Sequence, residues 1–227
     1  STRAMTLLMT ELEVRLPDRR SASSFSTSKK PMAEVSCIMD NGRSREIVVP
    51  VRVGRLLMTD AIALPLPEEE AFDTIHALEG KICFAQLTEM LSRRDYAVLE
   101  ARERLLNYGY REIEIDAALS KAIDVRFLDD CRFATYFISE RIRRGWGRRK
   151  IEIELKRKGV DASDLPGYPE DFFSDDDELD RAIELLSRKS IPSVRPQEKL
   201  IRHLMAKGFS YSVSAEAARR RLSSDTL

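Results

Sequence analysis

The sequence is poor in the residues that mark secreted and membrane proteins. Its 227 residues include three cysteines and one tryptophan, and aromatic residues make up only 7%. No apolar run approaches the roughly 20 residues that span a bilayer, so we expect no membrane-spanning helix and no membrane partner. The cysteines (Cys37, Cys83 and Cys131) are odd in number and form no CxxC pair. They therefore predict reduced thiols, buried or half-buried, in a cytoplasmic protein.

Motifs for catalysis, metals and cofactors are also missing. The only histidines, His76 and His203, lack a second ligand at metal-binding spacing. No glycine-rich nucleotide motif and no nucleophile elbow occurs. Asp129 and Asp130 are adjacent and would point to different sides of a helix, so they predict an N-cap rather than a catalytic pair. We therefore predict no enzymatic activity, no catalytic residues, no cofactor and no metal site.

The formal net charge is zero, but this value conceals two opposite blocks. Residues 141–158 contain nine basic and two acidic residues, a net charge of +7. Residues 170–184 contain eight acidic residues and one arginine, a net charge of −7. The basic block predicts a site for DNA phosphates or an acidic protein surface. The residues of this predicted binding site are Arg141, Arg143, Arg144, Trp146, Arg148, Arg149, Lys150 and Arg157.

Both blocks have simpler interpretations. Basic residues at the end of a helix complement its dipole without any ligand. Trp146, between two glycines in a predicted turn, is then only an anchor between structural repeats. For the acidic block we expect a solvated linker rather than a site, with the alternative that it shields the basic face when no partner is bound.

The residue pattern predicts two different segments before residue 68. Residues 1–30, with the serine-rich tract Ser21–Ser28, predict a poorly ordered arm. Residues 31–67 predict a small β extension, because two β-branched runs flank Asn41-Gly42, a strong hairpin signal. The second run extends to Val53, and Pro50 makes this strand an edge or breaks it.

Helical patterns follow from residue 68, and one motif recurs three times. Leucine, three residues, glycine and an apolar residue occur at Leu105–Tyr110, Leu155–Val160 and Leu204–Phe209. The glycines are 50 and 49 positions apart. Each copy predicts a helix that ends at a glycine in left-handed conformation. Copies in series favour a stacked, elongated array, with repeats over residues 68–127, 128–174 and 175–227.

The middle repeat carries a specific resemblance. Phe127–Ala134, Tyr136–Ile138 and Arg141 are followed by Gly145–Gly147, Ile151, Glu154-Leu155 and Lys158–Val160. This series resembles the RecX family, bacterial regulators of the RecA recombinase, and similarity extends from about Glu79 to Leu222. The resemblance implies a mainly α fold of three tandem three-helix repeats in an elongated curved array, preceded by a small N-terminal β hairpin.

The resemblance also implies a function. Members of the family bind in the groove of the RecA–DNA filament, limit its growth and so damp strand exchange and LexA cleavage. We therefore expect a monomeric regulator of homologous recombination, DNA repair and the SOS response. Its expected partners are the RecA filament and the phosphate backbone of single-stranded or duplex DNA. Two alternatives stay open: a direct DNA-binding module of helix-turn-helix type, and a structural scaffold bound through apolar repeat faces.

Overall fold

The computed structural model describes residues 6–18 and 30–224. The chain divides into two compact units, Ser1–Leu128 and Asp129–Leu227. The first unit combines a small β-sheet with helices, and the described part of the second is helical. The predicted class, mainly α with an N-terminal β element, is confirmed. The serine-rich tract lies outside the described residues.

The sheet of the first unit has four antiparallel strands in the order β3-β2-β1-β4. Their bounds are β1 Leu8–Arg15, β2 Ala33–Met39, β3 Ser44–Val49 and β4 Leu66–Pro67. The prediction of a poorly ordered arm is wrong for Leu8–Arg15, because this segment pairs with both β2 and β4. Alternate β2 residues are buried, so one face of the strand contributes to the core.

The hairpin predicted at Asn41-Gly42 is confirmed as the connection between β2 and β3. Gly42 is left-handed, with φ of +79°, and its N–H donates to the carbonyl of Met39 over 3.0 Å. Asn41 accepts from the N–H of Arg43 through its side chain at 3.0 Å. The loop therefore has one left-handed residue, after a turn across Asp40 and Asn41, instead of the two that a type I′ turn requires.

Pro50 ends β3, so the predicted break at this proline is confirmed, and residues 51–53 belong to a helix instead of the strand. The first helix, α1 Val51–Leu57, begins directly after this proline. Proline cannot donate to a sheet ladder, but its fixed φ suits a position beside the start of a helix. Three further helices complete the unit: α2 Glu68–Arg93, α3 Val98–Asn107 and α4 Glu112–Asp124. One apolar core joins them to the sheet.

The second unit contains α5 Asp130–Arg143, α6 Arg148–Arg157, α7 Asp175–Ser187, α8 Pro196–Lys207 and α9 Tyr211–Ser224. Asp129 is the N-cap of α5, as predicted, and accepts from the N–H of Arg132 at 3.0 Å. After α6 the described chain forms only a 3₁₀ turn, Ala162–Asp164, where the resemblance implies a third helix of the middle repeat. Pro166, Gly167 and Pro169 follow this turn and disfavour a continuous helix.

The repeated leucine–glycine motif forms the same hydrogen-bonded helix end three times, as predicted. Gly109, Gly159 and Gly208 all have positive φ. The apolar residue after each glycine donates its N–H to the motif leucine: Tyr110 to Leu105 at 3.4 Å, Val160 to Leu155 at 3.0 Å and Phe209 to Leu204 at 3.1 Å. This is the Schellman arrangement, which satisfies carbonyls at the helix end and turns the apolar residue back into the core.

Candidate binding site around Trp146

The turn between α5 and α6 presents the basic block. Gly145 is left-handed, with φ of +78°, and its N–H donates to Ile142 at 2.9 Å. Trp146 donates its N–H to the carbonyl of Arg141 at 3.0 Å, so α5 ends in the same arrangement as the repeat helices. The predicted turn is therefore present, with basic residues at the end of α5 and the start of α6.

The position of this turn is set by contact with the third repeat. Gly147 donates its N–H to Lys207 at 2.8 Å, and Arg149 donates its N–H to Gly208 at 3.1 Å. A Cβ at Gly147 would overlap the backbone of Gly208 and Phe209. Only glycine permits this approach, and the turn is thereby fixed against the end of α8.

A buried carboxylate from the acidic block also holds the turn. Glu178, on α7, accepts from the N–H of Arg148 at 3.2 Å and from the guanidinium of Arg181. Arg181 in turn donates to the carbonyl of Trp146 at 2.9 Å. Burial raises the pKa of Glu178, although the charge of Arg181 and the N–H of Arg148 oppose the increase.

The expectation that the acidic block is a solvated linker is wrong for Asp175–Ser187, which forms α7. Glu178, Ala182 and Leu186 are buried and share one face of this helix. An acidic residue within an apolar stripe of helical spacing was the signal that sequence reasoning missed. Part of the negative charge therefore stabilises the turn that carries the positive charge.

The indole of Trp146 is half-buried and lies between two cations. The guanidinium of Arg141 lies 4.9 Å from its centroid and the ammonium of Lys150 lies 4.1 Å from it. Arg141 also lies 4.7 Å from the ring of Phe137, and its Nε is buried without a hydrogen-bond partner in the part of the chain that the structure describes. We call Arg141, Trp146 and Lys150 the Trp146 cluster. Such contacts hold cations in place without neutralising them.

The seven predicted cations divide into two groups. Four form ion pairs with a carboxylate three or four residues away: Arg143 and Arg144 with Glu140, Arg148 with Glu152, and Arg157 with Glu154. Within residues 6–18 and 30–224, the other three have no carboxylate partner: Arg141, Arg149 and Lys150. The uncompensated positive charge is therefore at the turn, and a phosphate or carboxylate ligand could complete it.

Residues 6–18 and 30–224 contain neither a metal-binding cluster nor a membrane-spanning helix. No group of three histidine, cysteine, aspartate or glutamate side chains is placed to hold a metal ion. No helix in these ranges has the length and apolar character needed to cross a bilayer. The cysteine prediction is confirmed for Cys37 and Cys83, which are free and buried, and is wrong for the burial of Cys131, which is free but exposed.

Comparison with known proteins gives one consistent relationship. The family model of the second three-helix domain of RecX matches residues 129–165. The regulatory protein RecX of Vibrio campbellii is 33% identical over 129 residues, covering 54% of this chain and 81% of that protein. RecX of Vibrio vulnificus is 30% identical over 146 residues, which cover 60% of this chain and 93% of that protein.

Solved structures show a similar fold. The crystal structure of RecX from Lactobacillus salivarius matches with a TM-score of 0.55 and 22% identity, covering 64% of this chain and 97% of that one. A second structure, of a regulatory protein RecX, matches with a TM-score of 0.56 and 21% identity. The match covers 79% of this chain and 90% of that one. At this level of identity the likeness concerns the backbone fold.

The approach of Gly147 to Gly208 predicts a large effect of one methyl group. Gly147→Ala should lower the free energy of unfolding by about 1–3 kcal/mol, because the added Cβ forces the two turns apart. Gly80→Ala, within α2, is the matched control. Its added Cβ would lie 3.7 Å from Cγ of Glu114 on α4, which is an ordinary van der Waals contact. The control should be neutral or stabilising by about 0.5–1 kcal/mol. Urea unfolding followed by circular dichroism measures both, and equal stability of the two variants would contradict the close approach.

The buried carboxylate of α7 makes a second prediction. Glu178→Ala should destabilise by about 3 kcal/mol, because it leaves the largely buried guanidinium of Arg181 and the N–H of Arg148 without their acceptor. Glu184 is on the same helix as Glu178 and forms an exposed ion pair with Arg188. Glu184→Ala removes this pair and should lower the free energy of unfolding by less than about 0.5 kcal/mol. Thermal unfolding of the two variants gives the comparison. A cost for Glu178→Ala no greater than that of the control would show that Glu178 does not hold the turn.

Proposed function

The chain belongs to the RecX family, and on this premise we propose that it binds RecA–DNA filaments and inhibits the recombinase and LexA-coprotease activities of RecA. Its curated relatives are named as regulatory proteins. The residue-level observation that carries the proposal is the charge of Arg141, Arg149 and Lys150 at one turn, for which the described residues provide no carboxylate partner. In this proposal the protein acts as a monomer, in the cytoplasm, within homologous recombination and the SOS response.

The chemistry of the turn supports docking on DNA phosphates or on an acidic RecA surface. Arginine presents a planar fork of donors that matches phosphate and carboxylate oxygens. Trp146 adds an aromatic face that is fixed through its own backbone carbonyl. Docking would therefore require little reorganisation of the turn.

The paired cations have a secondary role in this mechanism. Arg143, Arg144, Arg148 and Arg157 raise the local potential only weakly while Glu140, Glu152 and Glu154 accompany them. The exposed pairs of Arg143, Arg144 and Arg157 each contribute about 0–1 kcal/mol, so exchange of the carboxylate for a phosphate costs little there. We assign primary contact to the three unpaired cations and general attraction to the others. This ranking goes beyond the even distribution of roles that the sequence suggests.

The test compares two triple variants of equal charge. RecA ATPase and strand exchange on single-stranded DNA are measured with increasing amounts of the protein. The wild type should inhibit at stoichiometric ratios, and Arg141→Gln/Arg149→Gln/Lys150→Gln should lose most of the inhibition. Arg143→Gln/Arg144→Gln/Arg157→Gln removes the same charge from paired positions and should retain most of it. Circular dichroism confirms that both variants are folded.

Four outcomes would contradict the proposal. No inhibition by the wild type removes the regulatory function, and equal losses in both variants remove the special role of the turn. Sequence-specific duplex binding without RecA would favour the helix-turn-helix alternative. Salt-insensitive association with the filament would instead favour an apolar scaffold, because phosphate contacts weaken steeply with salt.

A further inference from the structure

A second basic feature lies in the first unit, away from the residues that carry the proposed function. It is a cleft of about 290 Å³ formed where β2 begins, β3 ends and α3 ends. Its polar lining includes Lys30, Arg52, Arg55 and Tyr108, and Pro31 and Pro50 contribute apolar walls. We call it the Tyr108 cleft. The sequence pattern gives it no emphasis, because its cations come from separate segments.

Three cations face this cleft, and two of them have no acidic partner among the residues that the structure describes. Arg52 forms an ion pair with Glu89 at 2.8 Å. For Lys30 and Arg55 there is no carboxylate partner in the described ranges 6–18 and 30–224. The ammonium of Lys30 lies 4.0 Å from the centroid of the Tyr108 ring. The cleft therefore combines uncompensated positive charge with an aromatic wall.

The electrostatics of Tyr108 agree with this charge distribution. Partial burial raises the pKa of its phenol, but the positive charges of Lys30 and Arg104 beside the ring outweigh that effect. The pKa of Tyr108 consequently lies below its usual range. A phenol whose pKa is lowered by neighbouring cations lies in a positive local potential. An anionic ligand in the same place would gain from the same potential.

The walls of the cleft are fixed by the helix end at Gly109. The N–H of Lys30 donates to the carbonyl of Asn107 at 2.9 Å, which attaches the start of the β extension to the end of α3. The side chain of Met32 occupies the space where a Cβ of Gly109 would be. On the other wall, Gln86 accepts a hydrogen bond from Tyr110. The cleft is thus built on fixed elements rather than on a loop tip.

We propose that the Tyr108 cleft binds a phosphate group of a single-stranded nucleic acid, with Arg55 and Lys30 as its charge partners. An aromatic ring beside unpaired cations is the combination that single-strand binding sites use, because it accommodates both a phosphate and an adjacent base or sugar. Pro31 and Pro50 provide further apolar surface for the sugar or base. The site is separate from the Trp146 cluster, and its existence does not depend on any effect on RecA.

The test measures binding of a fluorescent oligo-dT to the full-length protein by anisotropy, without RecA. Lys30→Gln and Arg55→Gln should each weaken binding about tenfold, the loss typical of a hydrogen bond to a charged group. Each should also reduce the salt dependence of log K by about 0.7. Arg55→Lys keeps the charge and should restore the salt dependence but only part of the affinity. Arg43→Gln removes an exposed hairpin cation without a carboxylate partner among the described residues, and should change neither quantity.

The same measurements in the Arg141→Gln/Arg149→Gln/Lys150→Gln background separate the two sites. Residual oligo-dT binding that Arg55→Gln removes would support the Tyr108 cleft even if the Trp146 cluster proved irrelevant to RecA. Equal effects of Arg55→Gln and Arg43→Gln would overturn the proposal. Competition by poly-glutamate as strong as that by unlabelled oligo-dT would also overturn it and assign the cleft to an acidic protein surface.

Discussion

The organisation of both units depends on one backbone constraint, the left-handed glycine that ends the second helix of a repeat. Because such a residue has no Cβ, another segment can approach the helix end at backbone distance. At Gly109 the approaching segment is Lys30–Met32, which leads into the sheet. At Gly208 it is the turn at Gly147 and the start of α6. Each candidate binding feature is adjacent to one of these contacts.

Buried carboxylates provide a second shared device. Glu79 on α2 accepts from the N–H of Arg111 at the start of α4 at 3.0 Å. Glu178 on α7 accepts from the N–H of Arg148 at the start of α6. Both therefore satisfy a donor at a helix start that lacks a side-chain cap of its own. These carboxylates thus have specific local roles, and the positive sites are those for which the described residues provide no carboxylate partner.

The parts of the fold that local sequence determines were predictable. The helix ends at Gly109, Gly159 and Gly208 follow from a motif of six residues, and the hairpin follows from Asn41-Gly42. Strand β1 was missed although Leu12 and Val14 alternate with charged residues, because its partner β2 lies beyond a long intervening segment. The basic block correctly located the turn at Trp146. Which of its cations form ion pairs with carboxylates depends on side-chain geometry, which the sequence does not specify. The support from Glu178 joins residues 30 positions apart, which no local pattern specifies.

The contact between Gly147 and Gly208 limits how independent the repeats of the second unit are. In a modular array, a terminal repeat can be removed or exchanged while its neighbour keeps its own hydrogen bonds. Here the N–H groups of Gly147 and Arg149 have their acceptors in the next repeat, and the carbonyl of Trp146 has its donor there. Deletion of α7–α9 would expose apolar surface and also leave the basic turn without its backbone partners. The last repeat is therefore an integral part of the middle one, and recombination between relatives would have to exchange the two together.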